Sequence, residues 1–511
     1  MSAILSADDL NDFITPGVAC VKPVESVNTG RGSGSSNTGG PVEIQIDSQG
    51  HALEVEIDGT SSRLQEAQIS LADCLACSGC ITSAEEVLVA QHSHKELINA
   101  LKQEQDKKIF VMSISHQSRV SLALALKLTV EQTDKLLVHL FVNNLGFKNV
   151  VGTGLGRLIS TDVLSQDIIQ NKQTGAKGPV LTSICPGWVL YAEKTHPHIL
   201  PRLSTVKSPQ QITGCILKRL VSKQYGCGSD KVYHLSIMPC FDKKLEAARP
   251  EDEQPNETPD VDCVITPREL IQLLQDEKIN IDQIISEIEH EQTPIEAVYE
   301  RYAPNGWPDA QTSWLNNEGS SSGGYAYQYL LHLQKQHTGA EIQIFNGRNP
   351  DIYELRLIKR GEVMASAGVV NGFKNIQNLV RKLKNGSTKV GGGLAARRRA
   401  RAGQDAEIGV DQGPQVHKCD LVEVMACPGG CINGGGQISG PTEIGTKEWL
   451  KELTHLYTGM AVNGLENNEA ANWRLQFEQE YGISDTRMVR TRFKAVEKPT
   501  DTTSIALGSR W

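Results

Sequence analysis

The chain has 511 residues, of which 39% are hydrophobic, 22% charged and 5% aromatic, and its 51 basic and 60 acidic side chains give a formal net charge of −9. A length of this order corresponds to about two to four domains, and an acidic chain lacks the positive field that attracts nucleic acid or anionic membranes. No apolar run reaches the roughly 18–20 residues that a membrane helix needs, and residues 1–9 lack a signal-peptide pattern. From the charge and these two features we expect no nucleic-acid partner, no membrane partner and a cytoplasmic location.

The first predicted domain, residues 1–105, combines short β-structure with a helix. Residues 26–40 are rich in Ser, Gly and Asn, a composition typical of a tether or a surface loop. Residues 42–58 alternate apolar and polar side chains around a Ser-Gln-Gly turn, which predicts a β-hairpin. Residues 85–104 have the spacing of an amphipathic helix.

Between the hairpin and this helix, Cys74, Cys77 and Cys80 form a C-x2-C-x2-C run. Thiolates at this spacing can each bind a different iron of one cubane cluster, but Ala84 occupies the position where a ferredoxin run has its fourth cysteine. The fourth ligand must then lie elsewhere, and Cys20 is the remaining cysteine of this segment. Zinc is an alternative, although zinc sites usually pair two separated C-x2-C knuckles, and inert thiols are the third interpretation.

A different pattern begins near Lys107, where short apolar runs alternate with helical segments. This alternation predicts an α/β domain, residues 106–440, in which parallel sheets are covered by helices on both faces. The predicted strands are residues 109–115, 149–151, 179–184, 233–238, 261–266, 341–345, 363–370 and 420–426.

Two stretches of this domain have the composition of loops. Residues 245–260 are acidic and rich in proline, which predicts an exposed loop. Residues 386–415 contain four arginines between positions 397 and 401, which suit a nucleic-acid or import signal but are more simply explained as a solvated loop. Residues 441–511 return to a helical pattern and are predicted to form a peripheral helical cap.

Four further cysteines follow the ends of predicted strands. Cys185, Cys240 and Cys427 each lie one or two residues beyond an apolar strand, and the carboxyl ends of parallel strands share the edge of a sheet where ligands bind. Cys431 follows Cys427 through a Pro-Gly-Gly turn, and residues 434–436 are glycines that let backbone amides approach a cluster. Each cysteine alone would more often be core packing, but together they predict one four-thiolate site.

Three segments around these cysteines carry a family resemblance: TSICPGW (182–188), MPCFDKK (238–244) and EVMACPGGCINGGGQ (423–437). They are similar to the signature loops of iron-only hydrogenases. Combined with the single N-terminal cysteine run, they resemble the iron-only-hydrogenase-like cytosolic iron–sulfur assembly factors, also called the nuclear prelamin A recognition factor-like family. The resemblance covers nearly the whole chain and implies an iron-only-hydrogenase-like α/β fold, with an N-terminal iron–sulfur segment and a small-subunit-like helical tail.

The resemblance also implies two [4Fe–4S] clusters. Their expected ligands are Cys185, Cys240, Cys427 and Cys431 for one cluster, and Cys20, Cys74, Cys77 and Cys80 for the other.

One departure from the hydrogenases concerns chemistry. Ile184 stands where hydrogenases have a cysteine that passes protons to their two-iron centre, and isoleucine cannot carry a proton. Lys243 and Met425 retain hydrogenase-like positions. We expect the loss of this proton-carrying residue at Ile184 to outweigh the two retained positions, so that the protein is not an enzyme. The alternatives are an iron-only hydrogenase-type oxidoreductase with altered proton delivery and a structural zinc protein.

The family role implied is that of an adaptor in the cytosolic iron–sulfur protein assembly machinery. Its partners would be the scaffold and targeting-complex proteins, and indirectly the iron–sulfur apoproteins, in the cytoplasm and also in the nucleus. We hypothesise that the strand-end cluster is held firmly and that the other is labile, because Cys20 lies across the polar tract from the cysteine run.

Overall fold

The structure is a computed structural model that describes residues 43–46, 52–55, 61–63, 88–175, 178–249, 258–387, 413–441, 443–462 and 467–496. The chain divides into two compact units, residues 1–79 and 80–511. In the first unit, β1 (Glu43–Ile46) and β2 (Ala52–Val55) form the predicted antiparallel hairpin, and β3 (Ser61–Arg63) pairs with the other edge of β2.

The second unit alternates strands and helices. Its described strands are β4 (Ile109–Ile114), β5 (Asn149–Gly152), β6 (Val180–Leu181), β7 (Val232–Ile237), β8 (Cys263–Ile265), β9 (Glu341–Asn346), β10 (Ile352–Lys359), β11 (Glu362–Asn371) and β12 (Leu421–Met425). Its described helices are α1 (His94–Glu104), α2 (His116–Leu126), α3 (Val130–Val138), α4 (Gly154–Gln173), α5 (Pro186–Thr195), α6 (Pro209–Tyr225), α7 (Asp242–Ala247), α8 (Pro267–Asp276), α9 (Ile281–Glu289), α10 (Ile295–Tyr302), α11 (Tyr325–Gln336), α12 (Phe373–Ser387), α13 (Thr446–Thr458), α14 (Asn467–Tyr481) and α15 (Asp485–Val489).

The described strands of the second unit form two sheets. The first is parallel throughout, in the order β5-β4-β7-β8. The second has the order β6-β12-β11-β10-β9, in which β6, β12 and β11 are parallel but β11, β10 and β9 form an antiparallel meander. The α/β prediction is confirmed. The strand predicted at 363–370, β11, pairs in parallel with β12 and in antiparallel with β10, whereas the strand predicted at 341–345, β9, has only an antiparallel neighbour.

Burial of both sheet faces follows from the apolar character of the strands. In β4, Val111 contacts one hydrophobic cluster while Phe110 and Met112 contact another on the opposite face. Alternate side chains of a strand point to opposite faces, so both faces of this central strand are covered. Buried apolar area is the main favourable term in folding, and packing on both faces of the sheet fixes the positions of the strand ends.

Local sequence sets the start of α8, the helix that follows β8. Thr266, directly after β8, accepts a hydrogen bond from the Glu269 N–H while the Glu269 carboxylate accepts from the Thr266 N–H, a capping box that starts α8. The Lys244 ammonium lies 2.6 Å from the Glu269 carboxylate. This ion pair joins α7, which follows Cys240, to α8.

The prediction of an exposed loop at residues 245–260 is wrong at both ends. Leu245 and Ala247 lie in α7 and are buried, because the helix packs its apolar side inward. Asp260 is also buried, where it pairs with Lys207 and Arg487. Residues 250–257 lie outside the described part, as do residues 388–412 of the second predicted loop.

The described C-terminal segment is helical, as its pattern predicts. Helix α13 buries Trp449, Leu453 and Tyr457, which form a small cluster with Val120 and Ile432. Within the described residues, none of the helices combines the length and the apolar character that crossing a membrane requires.

Candidate metal centre

The four strand-end cysteines belong to turns that follow three strands of two different sheets. Cys185 lies beyond β6 and directly precedes Pro186 at the start of α5, so its thiol is next to the positive end of a helix dipole. Cys240 follows β7 in the first sheet, and Cys427 follows β12 in the second. The sequence prediction of a single sheet edge is therefore corrected to the meeting of two sheet edges.

Backbone contacts hold these turns together. The Gly436 N–H donates to the Pro239 carbonyl at 2.9 Å, which ties the segment after Cys431 to the turn that carries Cys240. The Ala426 N–H points at the Cys185 sulfur, with a nitrogen–sulfur distance of 3.4 Å. Amide donors of this kind stabilise a thiolate, and both contacts join turns from different strands.

The thiols are close enough to influence one another's ionisation. Burial, with smaller contributions from Cys431 and Asp242, raises the pKa of Cys185 to about 12. Burial, Asp242 and the thiols of Cys427, Cys431 and Cys185 raise the pKa of Cys240 well above its ordinary value. In the metal-free protein these groups are therefore neutral thiols, and a metal must displace their protons to bind.

A serine loop that the sequence reasoning missed supports Cys431. The Cys431 N–H donates to the Ser322 Oγ at 2.9 Å, and the Ser321 hydroxyl donates to the Gly429 carbonyl at 2.9 Å. Gly430 has a φ of +86°, and a Cβ there would lie 2.9 Å from the Ser321 Oγ, so a larger residue would be both strained and crowded. The Ser-Ser-Ser-Gly-Gly sequence at 320–324 indicates a tight turn, but no local pattern connects it with a cysteine more than 100 residues away.

The candidate site offers four cysteine thiols as donors. Cys185 is buried, whereas Cys240, Cys427 and Cys431 are half-buried. Within the described residues, no group of three or more His, Cys, Asp or Glu side chains is arranged to hold one metal ion. A cubane does not need such convergence, because each thiolate binds a different iron. Four thiols from separate turns are the ligand set of a cubane cluster.

The side chains that separate hydrogenases from their relatives are also described. Ile184 is 8% exposed and belongs to the main hydrophobic cluster. The Lys243 ammonium lies 3.0 Å from both carboxylate oxygens of Glu246, so its charge is neutralised within α7. The Met425 sulfur lies 3.6 Å from the Cys431 sulfur. Of the two hydrogenase-like residues, only Met425 is thus in direct contact with a candidate ligand.

Two histidines near strand and helix ends, His116 and His196, have structural partners. The His116 Nε2 lies 2.7 Å from the Leu315 carbonyl, and the His196 Nε2 lies 2.8 Å from the Tyr191 hydroxyl. Both are polar groups satisfied by protein contacts. The N-terminal cysteines Cys20, Cys74, Cys77 and Cys80 lie outside the described residues and stay a prediction.

Comparisons with known proteins agree with this architecture. A family model described as the iron-only hydrogenase large subunit, C-terminal domain, matches residues 108–435. The [FeFe]-hydrogenase HydA1 from Chlamydomonas reinhardtii, in an apo variant, aligns with a TM-score of 0.58 at 20% identity, over 79% of this chain and 99% of that chain. The fold is that of the iron-only hydrogenases.

Relatives of known name are more similar in sequence. The cytosolic Fe-S cluster assembly factor NAR1 of Scheffersomyces stipitis is 52% identical, with 100% of both chains covered. The protein of the same name from Debaryomyces hansenii is 51% identical over 100% of both chains, and that from Saccharomyces cerevisiae is 41% identical over 86% of this chain and 87% of its own. The chain belongs to the iron-only-hydrogenase-like family of cytosolic Fe–S cluster assembly factors, as the motifs predict. These relatives are named as assembly factors and not as enzymes, which confirms the expected non-enzymatic class.

Proposed function

We propose that the protein is a non-enzymatic component of the cytosolic iron–sulfur protein assembly machinery and carries two [4Fe–4S] clusters. The observation that carries the proposal is the meeting of four cysteines from three strand ends in a chain whose relatives are named cytosolic Fe-S cluster assembly factors. Cys185, Cys240, Cys427 and Cys431 would hold one cluster, and Cys20, Cys74, Cys77 and Cys80 the other. A bound cluster supplies transferable iron and sulfide and can exchange one electron.

The adaptor role is the finer part of the proposal. The protein would connect the scaffold that builds clusters with the targeting complex that delivers them to apoproteins, in the cytosol. The printed names of the relatives support the assembly machinery and the cytosol. A nuclear location and the individual partners stay predictions from the family resemblance.

Two of the three residues that bear on the hydrogenase alternative, Ile184 and Lys243, do not support it. Ile184 provides no transferable proton, and Lys243 is bound by Glu246 instead of facing the thiols as a free cation. If the alternative were correct, the purified protein would show infrared bands of iron-bound carbonyl and cyanide. We expect none.

The test is the content of iron, acid-labile sulfide and zinc in anaerobically reconstituted protein. Two [4Fe–4S] clusters correspond to about eight iron and eight sulfide per chain. Cys431→Ser should lose about half of both, whereas Cys227→Ser, which changes a half-buried cysteine outside the candidate site, should retain them. Stoichiometric zinc, or equal iron in both variants, would contradict the proposal.

A further inference from the structure

Arg157 is a buried cation in the first turns of α4, and its charge has no carboxylate partner among the described residues. The side chain is 3% exposed. Its guanidinium donates to the Asn316 Oδ1 at 2.8 Å, to the Tyr457 hydroxyl at 3.3 Å and to the His116 Nδ1 at 3.0 Å. Asn316 and Tyr457 are neutral acceptors. The N–H groups of Arg157 thus have hydrogen-bond acceptors, but its positive charge has no counter-ion among them.

His116 does not supply the missing negative charge. Burial and the charges of Arg157 and Arg119 lower the pKa of His116 well below its ordinary value, so the ring is neutral. In that state the Nε2–H donates to the Leu315 carbonyl and the Nδ1 accepts from Arg157. The three acceptors around the guanidinium therefore carry no net charge.

Other buried arginines in the described part of the chain differ in this respect. Arg119 donates from its Nε to the Asp134 carboxylate at 2.7 Å, and Arg356 donates to Glu354 at 2.7 Å. The same holds for Arg474 and Arg487, which pair with acidic side chains. A buried charge without a counter-ion costs several kcal/mol, so the fold must supply negative charge near Arg157 by another route.

Arg157 lies directly behind the serine loop that supports Cys431. A Cβ placed on Gly323 would be 3.5 Å from the Cδ and Nε of Arg157, and the neighbouring Ser322 accepts the Cys431 N–H. Beside this geometry, nearby charges act on the ligand: burial and Glu423 raise the pKa of Cys431, while Ser322, Lys243 and Arg157 oppose that rise. Lys243 is already neutralised by Glu246, so Arg157 is the uncompensated cation of this group.

We propose that Arg157 is the counter-cation of the strand-end cluster. This rests on the proposed function, because the negative charge that the arginine lacks would be that of a cubane held by four thiolates, which is a net anion. Arg157 is a positioning and charge-compensating residue, and it is not a ligand. The described neighbours of the arginine include no carboxylate partner, and a bound anionic cluster would offset the cost of its buried charge. A buried positive charge also favours the reduced cluster, which is the more negative form.

Glu423 is the competing counter-ion. It is buried, and Arg157 lowers its pKa against the larger effect of burial, which raises it. However, its carboxylate is bound by the Ser320 hydroxyl and, at 2.9 Å, by the Ala326 N–H, and it forms no ion pair with Arg157 in the described structure. If Glu423 were the partner, removal of the arginine charge would destabilise the metal-free protein, and the experiment below measures that quantity.

The experiment uses the full chain carrying Cys74→Ser and Cys77→Ser, so that only the strand-end site can load. Arg157→Met removes the charge at similar length, Arg157→Lys keeps it, and Tyr457→Phe removes one hydrogen bond of the arginine without changing charge. The midpoint potential of the cluster is measured by electron paramagnetic resonance during titration with a chemical reductant. Cluster loss to an iron chelator and unfolding by denaturant, metal-free and loaded, are measured on the same variants.

We expect Arg157→Met to shift the midpoint potential to more negative values and to speed cluster loss about tenfold. Its metal-free form should be at least as stable as the parent, because an uncompensated charge is removed. Arg157→Lys and Tyr457→Phe should stay close to the parent in potential. An unchanged potential in Arg157→Met, an equal shift in Arg157→Lys, or a destabilised metal-free Arg157→Met protein would overturn the inference. Absence of iron from the parent would instead overturn the proposed strand-end cluster itself.

Discussion

At the scale of single residues, Gly434 shows how closely the cysteine turns approach each other. Its φ of −62° and ψ of 145° are open to any residue, so the need for glycine is purely steric. A Cβ at this position would overlap the Pro239 carbonyl oxygen and lie 2.9 Å from its carbon. Pro239 is next to Cys240, so a side chain at Gly434 would push one predicted ligand away from the others.

We therefore expect Gly434→Ala to lower the free energy of unfolding by about 1–3 kcal/mol, as overpacking typically does. It should also remove most of the strand-end iron, measured in the background with Cys74→Ser and Cys77→Ser. Gly445→Ala is the matched control, because Gly445 has the same φ and ψ and no atom within 4 Å of its would-be Cβ. Equal iron retention in the two variants would show that the close approach does not matter for metal binding.

The residues of the candidate site were predictable to different degrees for physical reasons. Cys185, Cys240 and Cys427 follow apolar strands, and a buried strand leaves a short apolar run in the sequence. Ser322 and Arg157 leave none, because their roles depend on contacts with Cys431 and Tyr457, which lie far along the chain. The four N-terminal cysteines are known only from their spacing and stay predictions.

At the scale of elements, sheet order is the feature that sequence did not reveal. Apolar runs predicted that β7 and β12 are buried strands, but not that they belong to different sheets. The strand predicted at 179–184 is paired only over Val180 and Leu181, since the Thr182 hydroxyl oxygen accepts the Val424 N–H and the chain then turns toward Cys185. Strand pairing is decided by long-range packing, which local propensity does not encode.

The attachment of α15 gives a prediction at the same scale. Asp260, just before β8, is buried and receives two hydrogen bonds of 2.7 Å from Arg487 of α15, while the Lys207 ammonium lies 3.3 Å away. Removing one partner of a buried ion pair costs about 3–5 kcal/mol, so Asp260→Asn should destabilise the protein by that order in urea unfolding. Glu480→Gln, in an exposed pair with Lys223, should cost less than about 1 kcal/mol.

The same pair has a defined pH dependence. Burial acts to raise the pKa of Asp260, but the charges and hydrogen bonds of Lys207 and Arg487 outweigh it, and the pKa is lowered. A lowered folded-state pKa adds stability above the unfolded value of about 3.9, which is lost as the pH falls through the folded value. The difference in unfolding free energy between parent and Asp260→Asn should therefore persist from pH 7 to pH 5 and shrink only in stronger acid. A difference that disappears by pH 5 would contradict the assignment.

At the scale of the whole molecule, the two proposed clusters differ in how their ligands are distributed along the chain. The strand-end cysteines are attached to β6, β7 and β12, whose described residues are almost entirely buried. In the other ligand set, more than fifty residues, including the Ser/Gly/Asn tract, separate Cys20 from the cysteine run. Ligands fixed by a packed core lose little conformational entropy when a cluster binds. A ligand separated from the others by a long polar segment must be ordered whenever a cluster binds, and this costs conformational entropy.

We expect the strand-end cluster to be the more resistant of the two to chelation. Two single-site proteins test this: Cys74→Ser with Cys77→Ser leaves the strand-end site, and Cys427→Ser with Cys431→Ser leaves the N-terminal one. Both are reconstituted, and iron release to a chelator is followed by the loss of charge-transfer absorbance. Release should be faster from the protein that retains the N-terminal site, because one ligand can dissociate there without disturbing the core. Faster release from the strand-end site would reverse the assignment. The side of that cluster formed by the half-buried Cys240, Cys427 and Cys431 would then be its route of exit.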